Sequence, residues 1–323
     1  MPNDTLTGIE GVRVGHAELS GVPSGCTVVL TDGGVPAGVD VRGGAPGTFG
    51  TDTLNPVNLV DRIHGLFFTG GSAFGLSVAE GVRRYLKEMN VGFDSGHGLI
   101  PIVAGAVIFD LGVNRSGLYP DGELGYRACR NATGEPVGEG CRGAGLGATV
   151  GKLHGMERGM KSGLGSALID APSGVRVGAL MVVNAFGDVF DPFSNRPLAG
   201  CREDARSSRL IDAEKEMMRL RRLSGFPEGQ NTVVGVVATN VRLNKTQLTK
   251  VAQMAHDGLA RTVFPTHTLY DGDTVFALSC GDVEGVETTV VGALAARATA
   301  EAVLRGVYRA SSLGDLPAHC DLR

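Results

Sequence analysis

The stretch that decides the fold is QNTVVGVVATN, residues 230–240. It follows a polar, turn-rich segment, SGFPEGQN (224–231), and then becomes a run of β-branched and small apolar residues. A run of this composition is typical of a buried β-strand. The sequence therefore predicts that Thr232 lies at the junction between a loop and a core strand.

The hydroxyl of Thr232 has two interpretations. Threonine commonly begins a strand, and position alone favours that structural role. If the chain were cut before Thr232, however, the residue would carry both a nucleophilic hydroxyl and a free α-amine that can take up its proton. An unperturbed α-amine has a pKa of about 7.7–8.0, so it can act as a base at neutral pH.

Length and charge narrow the class of protein. The 323 residues are enough for one large domain with a sizeable core. Basic and acidic residues number 30 and 34, and no basic block recurs, so nothing in the charge pattern favours binding to nucleic acid. No apolar run reaches the roughly 18 residues that a membrane span requires, so no membrane partner is expected.

The cysteines and the first residues predict a reducing compartment. Six cysteines are scattered without CxxC spacing, and MPNDTLTGIEGVRVG contains no apolar signal-peptide core. We therefore expect free thiols and a cytoplasmic location. Glycine is abundant, at 50 residues, but it is spread among Val, Ala and Leu, which favours tight turns in a folded core.

The order of the predicted elements indicates an α+β fold. VRVGHAEL, CTVVLTD and AGVDVRGG are predicted as three antiparallel strands, and residues 162–191 as three more. Because strands and helices do not alternate regularly, a doubly wound sheet is not expected. The predicted helices are 73–90, a short one within 121–132, 202–223, 244–263 and 284–309.

Several polar positions have a structural explanation on residue type alone. Asn184 ends an apolar run before a turn, and the pair Asp271 and Asp273 flanks a glycine, as turn residues often do. Lys152 lies in a Gly-rich, strand-like segment, where a solvated lysine is the common case. The paired carboxylates have a second explanation, which is to orient a nucleophile between them.

The two glycines that end GLFFTGG (65–71) also have two interpretations. Gly70 and Gly71 join a predicted strand to a predicted helix. Their backbone amides either form a tight turn or hold an anion or an oxyanion.

Common cofactor and metal motifs are not matched. GAGLGA (143–148) fits a loose dinucleotide pattern but does not follow an apolar strand, and no phosphate loop, HExxH or GxSxG sequence occurs. His256 and His267 are predicted to be structural because they show no ligand spacing. We expect no cofactor and no metal.

Six motifs in order carry a family resemblance. They are GGSAFGL (70–76), VIFDLG (107–112), GLYPDGELG (117–125), GAGLGATVGK (143–152), VVNAFGDV (182–189) and the segment from NTVV to FALS (231–279). Together they resemble the DmpA-like aminopeptidase family, whose members are self-processing hydrolases. The resemblance covers about residues 10–309 and is strongest to the nylon-oligomer hydrolase-like branch, which has Asn-Thr at its scission point and a DGDT segment downstream.

The resemblance implies a fold and a processing event. The family's fold is a four-layer αββα sandwich of the N-terminal-nucleophile (Ntn) hydrolase type. The chain would be one hydrolase domain, 1–323, that cuts itself between Asn231 and Thr232. The products would be an α chain, 1–231, and a β chain, 232–323, with Thr232 as the nucleophile.

The resemblance also implies roles for individual residues. Asn184 would donate its amide N–H to the oxyanion, and Lys152 would polarise the carbonyl under attack. Asp271 and Asp273 would orient the nucleophile. Tyr119, in a matched motif, would line the substrate pocket, to which the turn at Gly70 and Gly71 would also contribute.

The expected activity is hydrolysis of a small amide. Candidate substrates are N-terminal aminoacyl amides, small peptides and ω-amino-acid oligoamides. Many relatives use Ser as the nucleophile with a Ser and a Glu downstream, whereas this chain has Thr232 and two Asp, which leaves the substrate open. Family members assemble as tetramers of αβ units, so a homo-oligomer is expected. Two alternatives are an acyltransferase that uses the same acyl-enzyme and a non-catalytic protein that binds a small molecule.

Overall fold

Thr232 begins a ten-residue strand inside the largest sheet, as the sequence predicts. The computed structural model describes residues 3–223 and 231–322, so the predicted turns at 224–230 lie outside the described residues. The described strands are β1 (Val12–Glu18), β2 (Gly25–Val41), β3 (Thr48–Phe49), β4 (Arg62–Thr69), β5 (Phe93–Asp94), β6 (Leu99–Ile100), β7 (Val103–Val107), β8 (Thr149–Val150), β9 (Met160–Lys161), β10 (Leu164–Asp170), β11 (Arg176–Asn184), β12 (Asp188–Asp191), β13 (Arg196–Ala199), β14 (Thr232–Val241), β15 (Val263–Phe264) and β16 (Thr274–Val283). The described α-helices are α1 (Val78–Glu88), α2 (Gly122–Arg130), α3 (Ala213–Met217), α4 (Lys245–Thr262) and α5 (Thr288–Tyr308).

The nine-stranded sheet is folded into two layers that the long strand β2 joins. The first layer, called the first sheet below, contains β1, β3, β4 and β7, and the second layer, called the second sheet, contains β10, β11, β14 and β16. The first half of β2 pairs with β1 and β4, and its second half pairs mainly with β16. Gly33 and Gly34 separate the halves at φ values of 72° and 85°, which residues with a Cβ rarely adopt. The prediction of two separate strands here is wrong, because the glycines bend the strand without ending it.

Alternate side chains of β14 enter two different cores. Val234 and Val236 lie between the sheets, together with Phe68 of β4. Val233 and Val237 point the other way, into the core that the second sheet forms with α4 and α5. This period of two explains why the stretch is apolar throughout, since both faces of the strand are buried.

Helices cover the outer face of each sheet. On the first sheet, α1 and α2 pack Val82 and Leu124 against Phe67. On the second sheet, α4 and α5 pack Leu248 and Ala295 into the core that contains Val233. The layers follow in the order helices, sheet, sheet, helices, which confirms the predicted αββα sandwich.

The first turn of α4 explains where this helix begins. The Asn244 side chain accepts a hydrogen bond from the Gln247 amide at 3.0 Å, and the Gln247 side chain accepts one from the Asn244 amide at 2.9 Å. This reciprocal pair is a capping box, which fixes where the helix begins. The helix predicted over 244–263 is confirmed, and so is the C-terminal helix, which runs over Thr288–Tyr308.

The helix predicted over 202–223 is wrong except for α3. Asp204 accepts hydrogen bonds from the amides of Arg206 and Ser207, which closes a turn where a helix was expected. The buried Arg202 donates to the Glu157 carbonyl at 2.7 Å and so ties the segment to another loop. Local side-chain bonds replace the backbone bonds of a helix here.

The glycine-rich motif at 143–148 surrounds a lysine. The buried ammonium of Lys161 donates to the carbonyls of Gly145 and Ala148, at 3.1 Å and 2.9 Å, and to the carbonyl of Ser162. The carbonyl oxygens of the motif therefore stabilise a buried cation of the protein itself.

All six cysteines are free thiols, as predicted. No helix in the described ranges combines the length and the apolar character needed to cross a membrane.

Candidate active site

Thr232 lies where the start of β14, the end of β11 and the segment at Asp271 meet. It is the first residue of β14, is 5% exposed, and is the ladder partner of Asn184, the last residue of β11. The preceding residue, Asn231, bridges to Asp271 in parallel register. The Asn231 carbonyl accepts a hydrogen bond from the Gly272 amide at 2.9 Å and another from the Thr232 hydroxyl. The hydroxyl and the carbonyl that precedes it are therefore in direct contact.

Lys152 and Thr149 fix the side chain of Asn184. The Lys152 ammonium donates to the Asn184 side-chain oxygen at 3.0 Å, and the Thr149 amide donates to the same oxygen at 3.1 Å. The Asn184 side-chain nitrogen donates to the Phe109 carbonyl at 3.1 Å. The side-chain oxygen of Asn184 is thus held by Lys152 and Thr149, and the side-chain nitrogen points toward Phe109.

Burial perturbs the Lys152 ammonium. Its complete burial lowers the pKa from 10.5 to about 7; the negative charge of Asp271 opposes this change, and the positive charge of Lys161 adds to it. The structural alternative, a solvated lysine, is wrong, because the chain folds Lys152 into the interior after β8. Near neutral pH the group is therefore divided between its two protonation states.

Asp273 accepts four hydrogen bonds. One carboxylate oxygen accepts from the Val233 amide at 2.7 Å. The other accepts from the Thr266 hydroxyl at 3.1 Å, from the His267 amide at 3.0 Å and from His267 Nδ1 at 2.7 Å. Burial alone would raise the pKa of this carboxyl, but the hydrogen bonds and charge from His267 and the Val233 amide lower it below its usual value.

Asp271 has the opposite shift. Burial raises its pKa, and the nearby charge of Asp273 raises it further, against the hydrogen bonds that it accepts from Thr268 and from the Phe186 amide at 3.2 Å. Two carboxyl groups one residue apart in a buried site do not ionise independently. Asp273 is therefore the stable anion of the pair, and Asp271 is the carboxyl that gains and loses a proton more readily.

The backbone of Phe186 links Lys152 to Asp271. The Lys152 amide donates to the Phe186 carbonyl at 2.9 Å, and the Phe186 amide donates to the Asp271 carboxylate. The structure thus brings Thr232, Asn184 and Lys152 together with both acids, although these residues are spread over more than a hundred positions of sequence.

The Gly70–Gly71 turn is built around Asp110. The Gly71 amide donates to the Asp110 carboxylate at 2.7 Å, and the Gly70 amide donates to the Gly25 carbonyl at 3.0 Å. A Cβ on Gly70 would lie 1.9 Å from Asp110 Oδ2, so only glycine fits there. Both amides are occupied by protein groups in this structure, and their role toward a substrate stays a prediction.

Tyr119 lies beside the same turn. Its ring stacks on Phe74 with 4.4 Å between ring centroids, and a Cβ on Gly71 would lie 3.3 Å from Tyr119 Cβ. Phe74 is 60% exposed, so this aromatic pair reaches the surface. The turn beside this pair binds Asp110, and the carbonyl of the neighbouring Phe109 accepts a hydrogen bond from Asn184.

The nucleophile candidate is covered in the uncut chain. A cleft of about 770 Å³ is lined by Gly112, Met156 and Leu313 among others, and Thr232 is not part of its lining. Within the described ranges no cluster of three or more His, Cys, Asp or Glu side chains is arranged to hold a metal ion. Most buried polar side chains around Thr232 bind one another, but the side-chain oxygen of Asn231 is buried without a hydrogen-bond partner among the described residues.

Sequence reasoning missed two residues that hold the acids and one that holds the glycine turn. His267 binds Asp273, Thr268 binds Asp271, and Asp110 holds the glycine turn. The spacing of Thr268 three residues before Asp271 is a recognisable turn signal. His267 has no such signal, since its contact depends on a backbone φ of 57°.

Comparisons with solved structures define the class of the fold. The chain matches the L-aminopeptidase D-Ala-esterase/amidase from Ochrobactrum anthropi with a TM-score of 0.72 and 22% identity, over 98% of this chain and 89% of that one. That structure is described as a variant of the Ntn hydrolase fold. A β-aminopeptidase from Burkholderia sp. matches with a TM-score of 0.70 and 21% identity, over 99% and 92%. The fold is therefore that of the Ntn hydrolases.

Sequence comparisons identify the family. The model of peptidase family S58 matches residues 4–319, and the chain belongs to that family. An uncharacterized aminopeptidase of Mycobacterium leprae is 40% identical over 99% of this chain and 94% of its own length. A 6-aminohexanoate-oligomer endohydrolase of Kocuria sp. is 29% identical over 91% and 83%. The chain is a hydrolase of this family, and the resemblance drawn from its motifs is confirmed.

Proposed function

We propose that the chain is a self-processing amide hydrolase whose nucleophile is Thr232. The observation that carries the proposal is the contact between the Thr232 hydroxyl and the Asn231 carbonyl, whose oxygen also accepts the Gly272 amide. A peptide carbonyl that already has a hydroxyl beside it and an N–H donor on its oxygen is arranged for attack.

The first step cuts the chain at residue 231. Thr232 Oγ loses its proton and adds to the carbonyl carbon of Asn231. The C–N bond then breaks, the acyl group stays on Oγ as an ester, and the Thr232 nitrogen takes up one proton, which balances the one lost by Oγ, and becomes the α-amine. Water then opens the ester and leaves a carboxylate on Asn231 and the hydroxyl on Thr232. The Gly272 N–H stabilises the negative charge that forms on the Asn231 oxygen.

The two products stay together because their strands share one sheet. In the second sheet β14 lies between β11 and β16, and β16 pairs with β2. β14 and β16 would belong to the β chain, and β11 and β2 to the α chain. Separating the chains would expose the strand β14, which is buried on both faces, so association is strongly favoured.

The second step hydrolyses an external amide. The free α-amine of Thr232 takes the proton of its own hydroxyl as Oγ attacks the substrate carbonyl. Asn184 donates to the oxyanion, Lys152 fixes the orientation of Asn184 and supplies positive charge, and Asp271 and Asp273 orient Thr232. Water then releases the acyl group and restores the enzyme.

The names of the relatives guide the choice of substrate. They describe aminopeptidases and a 6-aminohexanoate-oligomer endohydrolase. We propose that this chain cleaves N-terminal aminoacyl amides, small peptides or ω-amino-acid oligoamides. An aminoacyl p-nitroanilide and a 6-aminohexanoate oligomer, tested side by side, separate the first class from the last.

The deciding experiment is the mass of the purified protein on a denaturing gel. Self-scission gives fragments of about 24 and about 9 kDa from the 33.4 kDa chain, in proportion to their lengths. Thr232→Ala should stay whole and inactive. Thr239→Ala is the matched control, since it removes a buried hydroxyl from the other end of the same strand, and it should still be cut. A Thr232→Ala chain that is still cut at this bond would overturn the proposal.

The oligomeric state and the cellular location stay predictions. Val57, Leu59 and Leu269 are large apolar side chains that lie on the surface. Native mass spectrometry of the purified protein tests the predicted tetramer of αβ units directly.

A further inference from the structure

His267 makes two of the four hydrogen bonds that Asp273 accepts. Its ring Nδ1 lies 2.7 Å from Asp273 Oδ2, and its backbone amide lies 3.0 Å from the same oxygen. The other carboxylate oxygen accepts the Val233 amide, one residue from Thr232. The carboxylate of Asp273 thus bridges His267 and the backbone next to the nucleophile candidate.

We propose that His267 is a positioning residue that keeps Asp273 ionised and aimed at the backbone beside Thr232. The inference rests on the proposed function, in which Asp273 orients Thr232. His267 itself has no contact with Thr232 in this structure, so it acts through the carboxylate. Both the chain's cleavage and its later turnover should therefore depend on this histidine.

The backbone at His267 is shaped for this contact. Its φ of 57° lies in the left-handed region, which places the ring and the amide of one residue on the same carboxylate oxygen. The two residues beside His267 also bind the acids: the Thr266 hydroxyl donates to Asp273, and the Thr268 hydroxyl donates to Asp271. Three consecutive residues thus hold both acids.

The charged groups around His267 are few. His256 of α4 packs edge-on against its ring, with 4.8 Å between centroids, and burial lowers the pKa of His256 to about 4. Behind His256 lies Asp40 of β2, with its carbonyl 3.1 Å and its carboxylate 3.6 Å from His256 Nε2, paired to Arg42 at 2.7 Å. Asp273 is therefore the anion in direct contact with His267.

A packing role and a positioning role predict different results. If His267 served only to pack, loss of its ring would slow scission whether residue 273 were Asp or Asn. Positioning through Asp273 makes the loss depend on the carboxylate, so a double mutant with Asp273→Asn should be no slower than Asp273→Asn alone.

The test follows the appearance of the two fragments after cell-free synthesis of the full chain, at pH values between about 5 and about 9. His267→Ala removes the ring donor. His267→Asn keeps a side-chain N–H at the place of Nδ1, and Asn tolerates positive φ well. His256→Asn is the matched control, since it changes a buried histidine whose ring packs on His267 and whose hydrogen bond goes to the Asp40 carbonyl instead of Asp273.

We expect His267→Ala to slow scission at least about tenfold near pH 6 and to move the acid limb of the profile up by about one pH unit. His267→Asn should recover the rate to within about threefold, and His256→Asn should leave the acid limb in place.

An unchanged acid limb in His267→Ala, or the same slowing by His267→Ala in the Asp273→Asn chain, would overturn the inference. If Asp273→Asn alone is cut at the normal rate, the inference also falls, while the Thr232→Ala result still decides self-processing separately.

Discussion

Lys152 and Asn184 are joined by a 3.0 Å hydrogen bond from ammonium to side-chain oxygen, and both residues are completely buried. The bond orients an amide whose strand position faces Thr232. It also requires a charged or chargeable group in the interior, which is costly for stability. A residue retained at such a cost is a functional candidate, and the cost itself can be measured.

Lys152→Met should stabilise the uncut protein while it abolishes scission. The pKa of Lys152 falls from 10.5 in the unfolded chain to about 7 in the fold. Between these values the unfolded chain binds a proton that the folded chain does not, so the contribution of Lys152 to stability rises with pH from about 7 to 10.5. At pH 7 and below, the folded state bears the cost of the buried charge. We expect Lys152→Met to gain about 1–3 kcal/mol at pH 7.

The measurement compares denaturant unfolding of Thr232→Ala with that of Thr232→Ala/Lys152→Met at pH 6, 8 and 10, so that both chains are uncut. The advantage of the methionine should shrink as the pH rises. Two stability curves that run parallel over this range would show that Lys152 is not perturbed in the fold.

Thr268→Val should move the pH dependence of scission toward higher pH. The Thr268 hydroxyl donates to Asp271, and this bond opposes the burial that raises the pKa of that carboxyl. Without the bond, Asp271 holds its proton to higher pH, and a smaller fraction of the carboxyl is ionised near neutrality. If the bond favours the ionised form of Asp271 over the protonated form by about 1 kcal/mol, its loss raises the pKa by about 0.7 unit.

Thr268→Ser is the control for Thr268→Val, because it keeps the hydroxyl and loses only a methyl group. Its pH profile for fragment release should match that of the unmodified chain. If both variants shift equally, the methyl group and not the hydroxyl governs the effect, and the assigned bond to Asp271 is unimportant.

The fold was predictable where chemistry is local. The strand after Thr232, the helix over 244–263 and the three strands within 162–191 each depend on patterns within a few positions, and all three predictions are confirmed. The resemblance supplied the layer order, which periodicity alone does not determine. The errors lie where backbone groups find side-chain partners, as at Asp204, or where glycines bend a strand, as at Gly33.

The arrangement of the candidate site was predictable only in its residue types. Motif order pointed to Lys152, Asn184 and the two acids, but their mutual hydrogen bonds depend on contacts between distant segments. The link between Lys152 and Asp271 runs through the backbone of Phe186, and no sequence pattern encodes it. His267 lies only six residues from Asp273, but their contact needs a left-handed backbone that residue type does not announce.

Gly70→Ala should destabilise the protein far more than Gly134→Ala. A Cβ on Gly70 would lie 1.9 Å from Asp110 Oδ2 and 2.4 Å from Ser24 Oγ, within a buried hydrogen-bonded cluster. At Gly134 a Cβ would meet nothing within 4 Å. We expect a loss of about 3 kcal/mol for the first and less than about 0.5 kcal/mol for the second.

Thermal and denaturant unfolding in the Thr232→Ala background measures the loss of unfolding free energy for Gly70→Ala and for Gly134→Ala. Equal losses would mean that the turn relaxes freely around Asp110. The Gly70–Gly71 turn would then be no rigid support for Tyr119.

Gly272→Ala should slow scission without unfolding the chain. The Gly272 amide donates to the Asn231 carbonyl at 2.9 Å, and this is the oxygen that becomes negative when Thr232 attacks. A Cβ would lie 2.6 Å from the Ala45 carbonyl oxygen and 3.0 Å from Thr232 Oγ1, so residue 272 must move and the donor with it. Losing one oxyanion donor costs about 100-fold to 1,000-fold in rate, and a displaced donor should cost at least about tenfold.

Cell-free synthesis of Gly272→Ala, with fragment release followed over time, measures this effect, and Gly134→Ala is the matched control because it adds the same methyl group in open space. Far-ultraviolet circular dichroism of the uncut Gly272→Ala chain should match that of Thr232→Ala, which separates slow chemistry from misfolding. If a folded Gly272→Ala chain is cut as fast as Gly134→Ala, the Gly272 amide does not stabilise the transition state. The charge on the Asn231 oxygen must then be stabilised from another direction, and the side chain of Asn184, across the ladder from Thr232, would be the next donor to test.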